Sequence, residues 1–155
     1  MKRLSLFALL MLALSGCIMG PSQQVRENLW HAPQEQPNWF GYHAYVLFQD
    51  DSHFIYWRTL AAPDQVLRRF DYYSVDNGST KVPVTFTRNG NQLQGESHRP
   101  IRSRTGDIIF TWVESFKGLF VGDTLDMEMR KKTVWPDRPT TEELPVRWTL
   151  KRLAQ

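Results

Sequence analysis

The chain has 155 residues, with 19 lysines and arginines against 16 aspartates and glutamates, 41% hydrophobic residues and a single cysteine. That length allows one domain of modest size. A lone cysteine excludes an internal disulfide framework, and a nearly balanced charge lacks the electrostatic footprint of a nucleic-acid-binding protein.

The first element is the amino-terminal segment. Met1-Lys2-Arg3 is followed by an uncharged apolar stretch from Leu4 to Leu14, which closes on Leu14-Ser15-Gly16-Cys17. A basic start, a short apolar run and small residues before a cleavage point are the parts of a removable secretory peptide. A membrane span would need about 20 apolar residues, and polar sequence arrives at Pro21 to Gln24. The Leu14-Ser15-Gly16-Cys17 tetrad resembles the bacterial lipobox. The resemblance implies that Cys17 becomes the first mature residue and carries the acyl chains, so the protein meets the membrane through its lipid. It also implies sorting to the outer membrane and its periplasmic face, because Ile18 follows the cysteine in place of the aspartate of retained lipoproteins. Lys2 and Arg3 leave with the peptide, so the mature chain has 17 basic residues against 16 acidic ones. The high isoelectric point of about 9.2 is then no argument for a nucleic-acid partner.

Residues 17–38 carry Pro21, Pro33, Pro37 and several glutamines, as expected of a lipidated tether, with Trp30 docking its end on the domain. Residues 39–155 form a single β-rich domain. Residues 39–48 and 53–60 are apolar on both faces and flank the turn chemistry of Gln49-Asp50-Asp51-Ser52, which predicts a first hairpin. Pro63 and Asp64, then Val66, Leu67 and Phe70 at helical spacing, predict one short helix over 63–70. Tyr72 to Val75 return to strand before an Asp76-Asn77-Gly78-Ser79 turn. A second hairpin turns at Asn89-Gly90, between Val82, Val84 and Phe86 on one inward face and Gln92-Leu93-Gln94. Strands follow at 107–116 and 122–133, with the turn between them near Lys117-Gly118. In the second of these Leu125, Met127 and Met129 oppose Asp126, Glu128 and Arg130, and Leu144, Val146, Trp148 and Leu150 alternate in the last strand.

Seven or eight antiparallel strands with short turns make a small barrel or a β-sandwich with one short helix. The barrel is the preferred reading, since closure removes sheet edges that would pair with other chains. The segments Gly122 to Met129 and Val146 to Arg152 resemble the closing strands of small lipocalin-type barrels. Trp39-Phe40-Gly41 stands where lipocalins carry Gly-x-Trp, so the resemblance implies similar architecture only.

The sequence contains no nucleophile elbow, no metal-binding helix motif and no phosphate-cradling loop, and nothing in it calls for a cofactor. His31, His43, His53 and His98 are scattered, and a hairpin turning at 49–52 keeps His43 and His53 apart. Glu114 and the basic residues Arg99, Lys131 and Lys132 read as solvated surface. The reading is therefore noncatalytic. The remaining signal is aromatic surplus: Trp39, Tyr42, Tyr45, Tyr56, Trp57 and Trp112, with Arg102 and Arg104 as a basic rim, are the candidate binding residues. Two functions follow from them. One is a binding or assembly module for another envelope component. The other is a carrier whose lipocalin-like barrel takes a small apolar ligand or a lipid, with Arg58, Arg102 or Arg104 at its polar head.

Overall fold

A computed structural model of the chain describes residues 28–33, 42–70 and 81–153. The strands are β1 (Leu29–Ala32), β2 (His43–Phe48), β3 (His53–Thr59), β4 (Lys81–Asn89), β5 (Gln92–Arg102), β6 (Ile108–Val121), β7 (Thr124–Val134), β8 (Thr141–Glu142) and β9 (Val146–Arg152), with one helix, α1 (Pro63–Phe70), between β3 and β4. Pairing runs β1-β2-β3-β4-β5-β6-β7-β9 and returns from β9 to β1, so eight antiparallel strands close a barrel. The two-residue β8 lies on β7 beyond the end of β9. Of the two architectures expected, the lipocalin-like barrel is the one present.

The segment read as tether contributes β1. Leu29-Trp30-His31-Ala32 is too short to show alternation, yet it pairs with both β2 and β9 and places Trp30 in the interior. The barrel therefore begins ten residues before the expected boundary at 39. The turn expected at Lys117-Gly118 is also displaced. β6 runs through it, and the chain reverses after Val121, where Gly122 has φ +55°. Gly118 serves packing instead, because a Cβ there would lie 3.0 Å from Leu125 Cδ1. Likewise Asn89 pairs with Gln92, which makes Gly90-Asn91 the two-residue turn, one position later than expected. The first hairpin turns at 49–52 as expected, with the Asp50 carboxylate accepting from the backbone N–H groups of Ser52 and His53 at 2.7 Å.

The start of β1, the end of β9 and the three tight hairpins lie at one end of the barrel, the closed end. Trp30, Phe48, Phe54, Phe86 and Phe120 fill it with ring contacts of 5.4–6.4 Å. The guanidinium groups of Arg88 and Arg152 lie over Phe120 and Trp30, at 4.4 and 5.2 Å from the ring centres. Phe116, Tyr56 and Trp148 continue the filling toward the other end. The middle of the barrel is packed with its own side chains.

The surplus apolar surface of β2 and β3 has a simple destination. On the outer face Leu29, Tyr45, Leu47, Ile55 and Trp57 form a second core beneath Ala61 and Val66 of the α1 region. Helix α1 starts at Pro63, whose missing N–H costs nothing at that position. The Tyr45 hydroxyl donates to the Ala61 carbonyl at 2.8 Å and anchors the approach to the helix. Lys81 is buried on the same face, its ammonium 4.9 Å from the Trp57 ring, and burial lowers its pKa to about 8.

Candidate binding site at the open end

Three strands outrun the barrel. β4 pairs with β5 only as far as Thr85↔Glu96, and β9 leaves β7 at Met129↔Val146, yet β5, β6 and β7 stay paired to Arg102↔Ile108 and Thr111↔Val134. Residues 97–102, 108–115 and 130–134, with β8, thus form a leaf beyond the rim. Six residues of strand make it about 20 Å long.

Alternation carries the barrel's interior face onto the leaf. Along β6 the inward positions are Phe110, Trp112, Glu114 and Phe116; on β5 Ser97 and Arg99, and on β7 Lys131, are their neighbours. Trp112 sits between two cations, with the Arg99 guanidinium 5.1 Å and the Lys131 ammonium 4.5 Å from its ring centre. Phe110 contacts both Trp112 and Trp135, and Arg138 lies 3.7 Å over Trp135. Each such cation–π contact contributes about 0.5–2 kcal/mol, depending on how far water is removed.

At the root of the leaf is a buried polar cluster. Glu114 is 4% exposed and meets Arg99 Nη2 at 3.2–3.3 Å. Burial pushes its carboxyl pKa up, and the charges of Arg99 and Lys131 hold it down in part. Lys131 itself pairs with Glu143 at 3.0 Å. The Tyr56 phenol, in the field of Arg58 and Glu114, has its pKa raised by burial. The Tyr56 hydroxyl and Arg99 Nε are buried with no hydrogen-bond partner, while Glu114 Oε2 is held by the Arg99 Nη2 ion pair at 3.2 Å without hydrogen-bond geometry.

Those of the expected binding residues that the structure describes divide into four groups. Tyr56 and Trp112 belong to this end, Tyr56 inside the mouth and Trp112 on the leaf. Tyr45 and Trp57 face outward into the second core and are covered by the α1 region. Tyr42, at the start of β2, has the Arg58 guanidinium 5.2 Å over its ring. Arg102 donates to the Gly106 carbonyl at 2.8 Å and braces the hairpin at the leaf's tip, in whose exposed turn Arg104 lies. Trp39 and Cys17 fall outside the described residues. Arg99, Glu114 and Lys131 were read as solvated, and the structure corrects this for Glu114, because β6 runs unbroken through it in the same register as Phe116.

Two other features lie elsewhere. A groove of about 570 Å³ crosses the outer wall, where Gln94, Lys117, Glu128 and Arg147 align across four strands. Glu128 there is already paired with Arg130 and Arg147 at 2.7–2.8 Å. His31 Nε2 and His43 Nδ1 are 2.9 Å apart, and the His31 ring stacks on Tyr45. Burial, then His43, lowers the His31 pKa to about 4. Among the described residues no group of three or more histidines, cysteines and carboxylates is placed to hold a metal ion, and no helix is long and apolar enough to cross a membrane.

Comparison with protein-family models, with curated proteins and with solved structures finds no match.

Proposed function

We propose that this chain is a noncatalytic lipoprotein, anchored through Cys17 to the periplasmic face of the outer membrane, that binds another envelope component through its leaf. The observation that carries this reading is the leaf itself. A barrel whose middle is filled by Phe54, Tyr56, Phe116 and Trp148 has its side chains committed to packing, whereas the leaf projects past the rim with an aromatic and cationic inner face. Ile108, Ile109 and Val134 are each 39–45% exposed there. Exposed apolar side chains rimmed by charge are the usual composition of a protein-binding surface.

The polarity of the chain supports the same reading. Leu29 enters at the closed end, so an amino-terminal anchor attaches opposite the leaf and leaves it free to reach away from the lipid. The test is to purify the tagged lipoprotein from membranes as parent and as Ile109→Glu. The variant should keep its thermal transition and lose a co-purifying envelope protein that the parent retains. Identical co-purification from both would remove the leaf from the interaction.

A further inference from the structure

The barrel is not closed evenly. β1 meets β2 over four residue pairs and β9 over only two, Trp30↔Arg152 and His31↔Lys151, whereas every other seam of the barrel runs over five to eleven. One further bond, from the Leu153 N–H to the Leu29 carbonyl at 2.9 Å, extends the β1–β9 seam. So short a strand depends on its side chains. Trp30 and Ala32 point into the barrel and Leu29 enters the second core, which leaves His31 as the polar link from β1 to β2.

That link joins two imidazoles. His31 Nε2 and His43 Nδ1 stand 2.9 Å apart, with ring centres separated by 5.1 Å. Whichever ring donates, the other accepts through an unprotonated nitrogen. The bond survives one added proton and is lost with two, because both facing nitrogens then carry hydrogens.

The surroundings add to this sensitivity. Among the described residues the histidines paired with carboxylates are His53 and His98, not these two. The register partner of His31 on β9 is Lys151, exposed on the same outer face; on β2 it is Tyr45, and His43 faces Thr59 on β3. From α1, Asp64 acts on Tyr45 and is itself paired with Arg68 at 3.7 Å. In acid, His31, His43 and Lys151 are three cations on one small patch, and like charges on neighbouring strands destabilise their pairing.

We infer that β1 is an acid-released latch: protonation of the His31 and His43 pair beside Lys151 loosens this strand from β2 and β9, while the longer seams of the barrel stay closed. The opened strand takes its proton at the ordinary imidazole pKa of 6.5 and the closed one only at about 4, so the open form gains as the pH falls through this window. On the lipoprotein reading the tether joins the barrel at this strand, and release would shift the junction from Leu29 to His43; the latch itself does not depend on the anchor.

The test is hydrogen exchange of the full chain in a nonionic detergent, read residue by residue at pH 7 and pH 5 with the intrinsic effect of pH divided out. Protection of the β1 amides and of the Leu153 N–H should fall about tenfold or more at pH 5, with β6 unchanged. His31→Gln should remove most of that fall and His43→Gln part of it. A β1 equally protected at both pH values, a His31→Gln variant as acid-sensitive as the parent, or loss of protection in β1 and β6 together would overturn the inference.

Discussion

Glu114 and Arg99 show what single residues do at this end of the molecule. The pair is buried on the carboxylate side, with side-chain exposures of 24% for arginine and 6% for glutamate. Removing one partner of such a pair leaves an uncompensated charge, and a loss of about 3 kcal/mol is expected for Arg99→Gln. The double variant Arg99→Gln/Glu114→Gln should recover most of it, as measured by urea unfolding at neutral pH. His31 supplies a pH-dependent term of the opposite origin. Its unfolded imidazole takes a proton near pH 6.5, whereas the folded one does so only near 4. Its contribution is thus complete above pH 6.5 and is lost as the pH falls to 4. With the ring partly exposed, the discounted loss is on the order of 1–2 kcal/mol, and His31→Gln should flatten that part of the stability profile. Neither contact was legible in the sequence. Glu114 interrupts a row of aromatic residues and reads as a strand end, although Phe110, Trp112 and Phe116 at the same parity mark it as inward-facing. His31 meets His43 only once Leu29-Trp30-His31-Ala32 is recognised as a strand lying diagonally across from it.

The strands themselves were mostly legible, because alternation in β4, β7 and β9 points one set of side chains inward without ambiguity. Helix α1 was legible from its proline start, and it accounts for aromatic residues on both faces of β2 and β3. What the sequence hid were features that need the neighbouring strand. Gly118 looks like a turn until β7 is laid beside it, with Met127 opposite and the Leu125 side chain against its Cα. The free edge of β5 is another such feature. The hairpin through Asn89↔Gln92 sets the phase, so the even-numbered residues of β5 direct their backbone groups toward β4. Beyond Glu96 there is no β4 to meet, and among the described residues no other strand pairs with His98, Pro100 and Arg102 on that side. Proline in the middle of that edge removes its central donor without costing the ladder to β6 a bond. Pro100→Val should restore the donor and promote pairing between copies. Sedimentation velocity should show concentration-dependent association of the variant and a monomeric parent; two indistinguishable profiles would mean that the proline guards nothing.

At the scale of the whole molecule, one strand ties the two ends together. β6 spans 14 residues, from the closed end, where the chain enters, to the tip of the leaf; at 3.3–3.4 Å per residue that is about 45 Å of strand. On the proposed reading, with the anchor at one end and the binding face at the other, the protein would hold its partner at a distance from the membrane. Lipid attachment itself predicts that Cys17→Ser leaves the barrel folded and moves it from the membrane fraction to the soluble periplasmic one; a variant still recovered with membranes would contradict the anchor. The most direct measurement of the leaf's role is photocrosslinking in intact cells, with the reactive residue placed at Ile109 on the leaf or at Asn91 in the closed-end hairpin. A discrete adduct with one envelope protein from position 109, absent from position 91, is the predicted result. Equal adducts from both positions, or none from the leaf, would contradict it.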